Sequence, residues 1–339
     1  MSIIVTGGCG FIGSNFILHW LSENQETIIN IDLLTYSGNI KNLDKEKNNK
    51  KLIFIKSDIC DKDFIIQVLS KYNPRAIINF AAETHVDRSI NNAKNFVKTN
   101  IFGVFNLLEA ARDYWQGLPK DKKENFRFIH VSTDEVYGEL SPKCKPFDEK
   151  NRYQPNNPYS ASKASSDHLV RSWNKTYNFP TLISNCSNNY GPYQYPEKLI
   201  PMCISNAINN KKITIYGDGK QIRDWLYVKD HCDAIKTILN KGKPGETYNV
   251  GGSNERSNIE VINLICNFLD KKIPLKQKAS YRNLIKYVND RPGHDKRYSI
   301  NASKIYKDLG WAAKENFETG LYKTVEWYLQ NPSWLKIKK

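Results

Sequence analysis

Tyr159 and Lys163 have the residue types and the spacing that suit proton transfer at an alcohol. They stand four positions apart, so on a helix they share one face. A phenol with an ordinary pKa of ~10 is a poor base at neutral pH, but a neighbouring ammonium group favours the phenolate. A tyrosine activated in this way can take the proton from a hydroxyl group while a hydride leaves the same carbon. The pair needs a suitable context, because this spacing arises by chance in many helices.

Two adjacent acids precede the tyrosine in the chain. Asp134 and Glu135 follow Thr133 within the run VSTDEVYG over residues 131–138. The hydroxyl of Thr133 can orient a reacting alcohol, and two carboxyl groups can act as a general acid and a general base. A helix cap or a solvated turn is the alternative explanation for the acids. Oxidation assisted by Tyr159 does not need two acids. If Asp134 and Glu135 are functional, they therefore predict a second reaction step.

A glycine-rich loop near the start of the chain predicts a dinucleotide site. Gly7, Gly10 and Gly13 have G-x-x-G-x-x-G spacing between a β-rich run and a helical pattern. Such glycines let the backbone approach a pyrophosphate, which the following helix N-terminus attracts. Asp32, nineteen residues after Gly13, can accept hydrogen bonds from a ribose diol and would repel a 2′-phosphate, so we predict NAD rather than NADP. Asp58 is placed to meet the adenine, with a helix cap as an equal alternative.

Short β-rich runs alternate with longer helical patterns in the first half of the chain. The sequence predicts helices at 11–22, 92–115 and 158–177 and strands at 2–6, 27–31, 52–56, 76–79, 126–131 and 181–184. Several of these strands are continuously apolar, as in strands that are buried on both faces. The alternation predicts an α/β fold built on a Rossmann-type doubly wound parallel sheet. Thr133 and the two acids then lie at the carboxyl end of a strand, where such sheets bind their ligands.

The pattern changes near residue 188. Prolines and glycines become frequent and the elements become shorter, which predicts a smaller mixed α/β lobe that binds the substrate. We therefore divide the chain into an NAD-binding domain over residues 1–187, joined by segments near 227–250, and a second lobe made mainly of residues 188–339. Further helices are predicted at 227–240, 258–269 and 317–329, and a further strand at 247–250.

The composition excludes membrane-spanning and disordered proteins. Of the 339 residues, 40% are hydrophobic and 12% aromatic, which is too apolar for a disordered chain. No apolar run approaches the ~18 residues that cross a bilayer, so we expect no membrane partner. The chain opens directly on a strand and the glycine loop without features of a secretory signal, and its seven cysteines include no CxxC pair. We expect a cytoplasmic protein with reduced thiols and no metal site.

The net charge of +15 raises the question of a nucleic-acid partner. The lysines are dispersed and interrupted by Asn, Asp and Glu, and they are not interleaved with aromatic residues as in nucleic-acid-binding surfaces. A solvated surface is the favoured interpretation, and we expect no nucleic-acid partner. A small part of the excess charge is available to an anionic substrate.

Longer stretches of the sequence resemble a known family. The glycine loop, Thr133 and the pair Tyr159 and Lys163 resemble the extended short-chain dehydrogenase/reductase family. Within that family, a resemblance to nucleotide-sugar 4,6-dehydratases spans nearly the whole chain and is carried by AAETHVDRSI (81–90), STDEVYGE (132–139), NPYSASKASSDHLVRSW (157–173), NCSNNYGPYQYPEKLIP (185–201), YGDGKQIRDWLYVKDH (216–231) and DRPGHDKRY (290–298). Sugar-nucleotide 4-epimerases of the family lack the acid pair of Asp134 and Glu135.

The resemblance implies 4,6-dehydration of a nucleoside diphosphate glucose, with dTDP-glucose favoured and UDP-glucose as the alternative. Tyr159 would remove the proton of the 4-hydroxyl while a hydride passes from C4 to NAD. Glu135 would then remove the C5 proton, Asp134 would protonate the leaving 6-hydroxyl, and the hydride would return to C6. The product would be a 4-keto-6-deoxy sugar nucleotide for deoxysugar biosynthesis of the rhamnose type.

The resemblance also assigns residues to the two ligands. Besides Tyr159 and Lys163, those expected to contact NAD are Gly7, Gly10, Phe11, Ile12, Gly13, Asp32, Leu33, Thr35, Asp58, Ile59, Ala81, Ala82, Glu83, Thr99 and Asn188. Those expected to contact the sugar nucleotide are Thr84, His85, Thr133, Asn188, Lys198, Leu199, Arg223, Asn258, Arg291 and His294. The resemblance further implies a homodimer that joins the helix near 92–115 to the Tyr159 helix.

Two other functions stay open at this point. A catalytically silent NAD-binding regulator could use the same fold, although Tyr159, Lys163 and the acid pair would then have no task. A 4-epimerase would leave the acid pair unexplained.

Overall fold

Twelve strands and twelve α-helices are found in the part of the chain that the computed structural model describes, which is residues 1–23, 25–276, 279–290 and 292–336. The strands are β1 (Ser2–Thr6), β2 (Thr27–Asp32), β3 (Leu52–Lys56), β4 (Ala76–Asn79), β5 (Arg127–Thr133), β6 (Thr181–Cys186), β7 (Asn188–Tyr190), β8 (Ile213–Tyr216), β9 (Ile222–Tyr227), β10 (Thr247–Val250), β11 (Glu255–Ser257) and β12 (Ile285–Val288). The helices are α1 (Phe11–Glu23), α2 (Lys62–Tyr72), α3 (Val86–Asn91), α4 (Lys94–Phe96), α5 (Val104–Gln116), α6 (Lys120–Asn125), α7 (Pro158–Tyr177), α8 (Leu199–Ile208), α9 (Val228–Lys241), α10 (Asn258–Lys272), α11 (Ser303–Leu309) and α12 (Phe317–Gln330).

The largest sheet has seven strands in the order β10-β6-β5-β4-β1-β2-β3. All of its strand pairs are parallel. Successive residues of one strand enter the cores on opposite faces, since Ile3 packs with α1 and α9 whereas Ile4 packs with α2, α5 and α7. The predicted doubly wound parallel sheet is confirmed, and its continuous apolar strands follow from burial on both faces.

Two small sheets complete the β structure. One has the order β11-β9-β7, with β9 antiparallel to β11 and parallel to β7, and the other pairs β12 with β8. A separate apolar core forms between α8, α10 and α12. The strand β10 joins the large sheet beside β6, and α9 packs on that sheet next to α1. The division of the chain at residue 187 stays a prediction.

Local signals explain the helix that carries the tyrosine. Asn157 caps the start of α7, because its side chain accepts from Ser160 N at 2.9 Å while the Ser160 hydroxyl faces the Asn157 backbone. Pro158 occupies the first helical position, where a missing N–H costs nothing. The helix ends at Asn178 in the left-handed conformation. The capping box therefore fixes the position of Tyr159 in the first turn.

The helix predicted at 92–115 begins later and is irregular. Asn92 is extended, terminates α3, and accepts a hydrogen bond from Lys94 N at 3.1 Å through its side chain. The following helix runs from Lys94 to Gln116 through a π-helical turn over Val97–Gly103. The predicted start was wrong because the asparagine bonds with the backbone locally and competes with the helix.

Candidate active site

A cavity of about 480 Å³ opens at the carboxyl ends of the strands of the large sheet. Every residue that the sequence assigns to the reaction, to NAD or to the sugar nucleotide lines this cavity, apart from Arg291. Arg291 lies outside the described residues. The predicted residues come from segments far apart in the chain, so their convergence in one cavity is a finding of the structure.

The glycine loop forms one wall of the cavity. Gly7 has a φ of +69°, and a Cβ atom there would lie 2.6 Å from Ala81 N. A Cβ atom on Gly13 would lie 2.4 Å from Gly7 O. Both glycines are therefore required where the loop folds back on itself and on β4. The arrangement exposes the N-terminal end of α1 at the cavity, as anion binding requires.

Asp32 ends β2 with its carboxylate held in place. Its Oδ2 accepts from Cys9 N at 2.8 Å and its Oδ1 from Leu34 N at 2.7 Å. Burial raises the pKa of this carboxyl group, and the two backbone bonds oppose the rise. Each oxygen keeps a further lone pair for a hydroxyl group, which suits a ribose diol.

Asp58 is not the cap of the following helix. The N-cap of α2 is Asp61, whose side chain accepts from Phe64 N at 3.1 Å. Asp58 accepts from Cys60 N at 2.9 Å, pairs with Lys98 Nζ at 3.3 Å, and lines the cavity. The helix-cap alternative for Asp58 was therefore wrong.

Tyr159 and Lys163 lie on one face of α7, and both are buried. Burial, and then the charge of Glu135, raise the pKa of the phenol well above its ordinary value, and the Thr133 hydroxyl opposes the rise. Lys163 Nζ donates to Val131 O at 2.8 Å. Burial lowers the pKa of this ammonium group to about 8. Positive charge beside the phenol is therefore needed before it can act as a base near neutral pH.

The acid pair opens a short 3₁₀ turn, Asp134–Tyr137, directly after β5. Thr133 caps that turn by accepting from Glu135 N at 3.3 Å, so the capping alternative for the two carboxyl groups was wrong. Asp134 is 2% exposed, and its Oδ2 accepts no hydrogen bond from the described residues. Burial, and then the charges of Glu135 and Asp224, raise its pKa well above the ordinary value. A carboxyl group kept protonated in this way is suited to donate a proton.

Cationic and polar side chains also line the cavity. Arg223, on β9, donates to Ile222 O at 2.8 Å and to Asp295 O at 2.9 Å. Lys198 Nζ donates to Thr84 O at 3.2 Å, and Asn258 opens α10 beside them. Guanidinium and ammonium groups in one cavity fit a diphosphate.

His294 also lines the cavity. Its Nδ1 lies 2.6 Å from Asp290 Oδ1, and its ring meets the Tyr216 ring edge at a centroid distance of 6.4 Å. An aromatic and a polar group side by side can contact the base or the sugar of a nucleotide.

Tyr298 and Glu197 are among the cavity residues that the sequence analysis missed. The Tyr298 hydroxyl donates to Asp295 Oδ2, and burial together with Glu135 and Asp295 raises the pKa of this phenol. Glu197 lies 3.4 Å from His85 Nε2 and 3.4 Å from Arg88 Nη2, so it connects the segment after β4 to the segment before α8. Both residues fall inside stretches that carry the family resemblance, at 290–298 and 185–201, and this signal could have found them.

The GDP-mannose 4,6 dehydratase family model matches residues 4–324 of this chain. The chain belongs to this family. A dTDP-glucose 4,6-dehydratase of Escherichia coli is 53% identical over 344 residues, covering 98% of this chain and 95% of the relative. A protein of the same name from Neisseria meningitidis serogroup B is 53% identical over 334 residues, covering 98% and 94%. The predicted resemblance to nucleotide-sugar 4,6-dehydratases is confirmed.

Solved structures of family members have the same fold. The crystal structure of dTDP-glucose 4,6-dehydratase from Bacillus anthracis in complex with NAD matches with a TM-score of 0.87 and 43% identity over 100% of both chains. The structure from Streptomyces venezuelae, with NAD and a second ligand bound, matches with a TM-score of 0.91 and 39% identity over 100% of both chains. A UDP-glucose 4-epimerase from Thermotoga maritima has a TM-score of 0.85 at 28% identity, covering 98% of this chain and 100% of the other. The fold is thus shared with epimerases.

Neither a metal-binding cluster nor a membrane-spanning helix is found in the described ranges. No group of three or more His, Cys, Asp or Glu side chains there could hold a metal ion. None of the helices in those ranges combines the length and the apolar character needed to span a membrane.

Proposed function

We propose that this chain is an NAD-dependent dTDP-glucose 4,6-dehydratase, which converts dTDP-glucose to dTDP-4-keto-6-deoxyglucose and water. The observation that carries the proposal is the position of Asp134 and Glu135 in the same cavity as Tyr159 and Lys163. Oxidation at C4 uses the tyrosine and the lysine, whereas loss of water across C5 and C6 uses an acid and a base. The cavity holds both sets, and the curated relatives at 53% identity are dTDP-glucose 4,6-dehydratases.

The residues present fit NAD as the cofactor. The tight glycine loop, the N-terminus of α1 and the fixed carboxylate of Asp32 match a pyrophosphate and a ribose diol. When bound, NAD would supply an acceptor for the hydride of C4 and a donor of hydride to C6. Family members with solved structures have NAD bound.

The first step is removal of the 4-hydroxyl proton. Tyr159 accepts this proton, and Thr133, which lines the same cavity, orients the sugar hydroxyl toward it. The hydrogen bond from Lys163 Nζ to Val131 O holds the ammonium group in a fixed position. Loss of this proton, together with departure of the C4 hydride to the cofactor, would leave a ketone at C4, and the ketone makes the neighbouring C5 proton acidic.

The second step is loss of water. Glu135 takes the C5 proton, and Asp134, whose raised pKa keeps it protonated, gives a proton to the 6-hydroxyl as it leaves. The electron pair of the C5–H bond forms the C5–C6 double bond while the C6–O bond breaks. When C6 is reduced, Glu135 gives its proton back to C5. The proton that Tyr159 took from the 4-hydroxyl replaces, by exchange with solvent, the one that Asp134 lost, so all three groups recover their original state.

The substrate diphosphate is proposed to lie between Arg223, Lys198 and His294. All three side chains line the cavity that the glycine loop also lines. Arg291 is proposed as a further ligand from the resemblance alone. The thymidine preference is likewise proposed on the relatives' names, and UDP-glucose is the competing substrate in the test below.

An exposed apolar face supports a homodimer. Val97 is 52% and Phe102 51% exposed on the π-helical turn. The Phe102 ring stacks on Phe105, and Phe105 meets Trp173 of α7 edge-on at 5.9 Å. An apolar aromatic patch of this kind is typical of an interface. We expect sedimentation to show a dimer that Phe102→Asp dissociates, whereas Tyr306→Asp, at an exposed tyrosine of α11, leaves it intact. A monomeric wild-type protein would refute the proposal.

The function is tested by incubating the purified protein with dTDP-glucose and, separately, with UDP-glucose without added NAD. Mass spectrometry should show loss of one water from dTDP-glucose, because the protein is expected to retain its NAD through purification. Faster loss from UDP-glucose would keep the mechanism and change the substrate. An unchanged mass with both sugars after NAD is supplied would reject the dehydratase, and a galactose epimer of equal mass would indicate an epimerase.

A further inference from the structure

A buried carboxyl group lies one helical turn beyond Lys163. Asp167 is 1% exposed, and the spacing of four positions puts it on the face of α7 that carries Tyr159 and Lys163. Its Oδ2 accepts from Ser132 Oγ at 2.9 Å. Its Oδ1 accepts no hydrogen bond from the described residues. Burying a carboxylate costs free energy unless a nearby charge compensates it.

His130 lies between this carboxyl group and the lysine. Its Nε2 is 3.2 Å from Lys163 Nζ and 3.6 Å from Asp167 Oδ1. Its Nδ1 accepts from Asn79 Nδ2 at 3.0 Å, which fixes the ring. Burial, and then the charge of Lys163, lower the pKa of the imidazole well below its ordinary value. The ring is therefore neutral, and the charges that face each other across it are those of Lys163 and Asp167.

The proposed first step needs a charged Lys163. Burial works against that charge, and Asp167 works in its favour. When the pair of Tyr159 and Lys163 has lost one proton, two arrangements compete, one with a phenolate and an ammonium group and one with a phenol and an amine. The first can act as a base toward the sugar hydroxyl and the second cannot. A carboxylate behind the lysine favours the first arrangement.

We propose that Asp167, acting across His130, is a positioning residue that holds Lys163 in its charged form and so sets the protonation of Tyr159 during C4 oxidation. The proposal rests on the proposed role of Tyr159 as the base. Lys163 lines the cavity and Asp167 lies outside it, whereas the acids Asp134 and Glu135 line the cavity themselves. Asp167 itself does not line the cavity, whereas Ser132 and Lys163 both do.

Other titratable groups face this cluster from the neighbouring elements. The thiol of Cys186 on β6 faces Lys163, and burial raises its pKa to about 12. The phenols of Tyr137 and Tyr153, between β5 and α7, face Asp167, and burial raises the pKa of both. Asp134 and Glu135 face Tyr159. The thiol and the two phenols stay neutral near pH 7, whereas burial raises the pKa of Asp167 to about 7.

The proposal therefore fixes the direction of a pH effect. Below about pH 7 Asp167 becomes protonated, the compensating charge behind Lys163 disappears, and the phenolate of Tyr159 is less favoured. The acidic limb of the kcat profile should contain this ionisation.

The test compares the NAD-loaded wild-type protein with Asp167→Asn. We expect kcat for dTDP-glucose to fall at least about tenfold with an unchanged KM, and the inflection near pH 7 to disappear. Independently of turnover, phenolate absorbance, taken as the difference from Tyr159→Phe, should show Tyr159 titrating about one pH unit higher, as a tenfold change requires. Asp167→Glu should restore part of kcat and move the titration of Tyr159 part of the way back toward that of the wild type. The control is Asp230→Asn, at a buried carboxylate outside the cavity that accepts from Lys314 N and Glu315 N.

A second variant tests the same proposal without removing the carboxyl group. Ser132→Ala deletes the hydrogen bond that favours ionised Asp167, so the acidic inflection should move to higher pH. If both variants keep the wild-type titration of Tyr159 and the wild-type pH profile, Asp167 serves packing only and the proposal is overturned. Failure of the wild-type protein to dehydrate dTDP-glucose would instead reject the proposed function, and the phenolate titration would still report on Asp167.

Discussion

Thr133 Oγ1 and Asp134 Oδ1 lie 3.3 Å apart at the end of β5. The same hydroxyl accepts from Glu135 N at 3.3 Å, and it opposes the rise in the pKa of the Tyr159 phenol. Thr133 therefore lies beside both the phenol proposed for oxidation and the acids proposed for elimination. Because only C5 separates C4 from C6 in a hexose, one bound sugar can meet both sets of groups without leaving its place.

Tyr159→Phe should abolish the whole reaction. The phenol supplies the base for C4 oxidation, and without the C4 ketone the C5 proton is not acidic enough for loss of water. We expect neither NADH absorbance nor dehydrated sugar nucleotide, a decrease in rate of at least about a thousandfold. Tyr177→Phe, at the exposed end of the same helix, should keep wild-type activity. Dehydration by the Tyr159 variant at a comparable rate would exclude the phenol as the base.

Glu135→Gln should separate the two steps. C4 oxidation does not need the carboxylate, so NADH should form and accumulate, while loss of water slows by about a hundredfold or more. Stopped-flow absorbance measures the first step and mass spectrometry measures the second. Glu318→Gln, an exposed acid on α12, is the control and should match the wild type. Water loss at the wild-type rate in Glu135→Gln would assign the C5 proton to another base.

Gly13→Ala should weaken NAD binding. The added Cβ atom would lie 2.4 Å from Gly7 O and 2.8 Å from Gly8 Cα, so the loop backbone must move away from the position that fits a pyrophosphate. We expect at least about a tenfold loss of NAD affinity, measured by equilibrium dialysis. In Gly117→Ala the Cβ atom would lie 3.5 Å from Tyr114 O, an ordinary contact, and affinity should not change. Equal affinity in both variants would show that this loop does not hold the cofactor.

Local patterns were enough to predict the large sheet and much of the site. The strands from β1 to β6 are short apolar runs between helical patterns, and burial on both faces is what such runs indicate. Asp134 and Glu135 line the cavity, as expected for residues that directly follow a strand, because the carboxyl ends of parallel strands converge at one edge of a sheet.

Other features depend on long-range pairing that local patterns do not reveal. The strand β9, IRDWLY, mixes charged and apolar residues because it lies between β7 and β11, and it was predicted as neither a strand nor a helix. Tyr298 reaches the cavity only through tertiary structure, since its backbone N–H bonds with Ile222 O at 3.1 Å. Asp167 was visible at the helical spacing of Tyr159 and Lys163, but only the structure shows that it is buried against His130.

His231 should make the protein less stable in mild acid. Its side chain is fully buried on α9, where Nδ1 lies 2.9 Å from Asn189 Oδ1, and burial lowers its pKa to about 3. Between pH ~6.5 and about 3 the unfolded chain binds a proton there and the folded chain does not, so the free energy of unfolding falls as pH falls, by at most ~1.4 kcal/mol per pH unit. Urea unfolding at pH 7 and pH 5 should therefore show a loss in the wild type that is about 1–2 kcal/mol larger than in His231→Gln. His168→Gln, at an exposed position on α7, should retain the wild-type pH dependence. Equal pH dependence in the wild type and His231→Gln would mean that His231 takes up its proton in the folded protein as readily as in the unfolded chain.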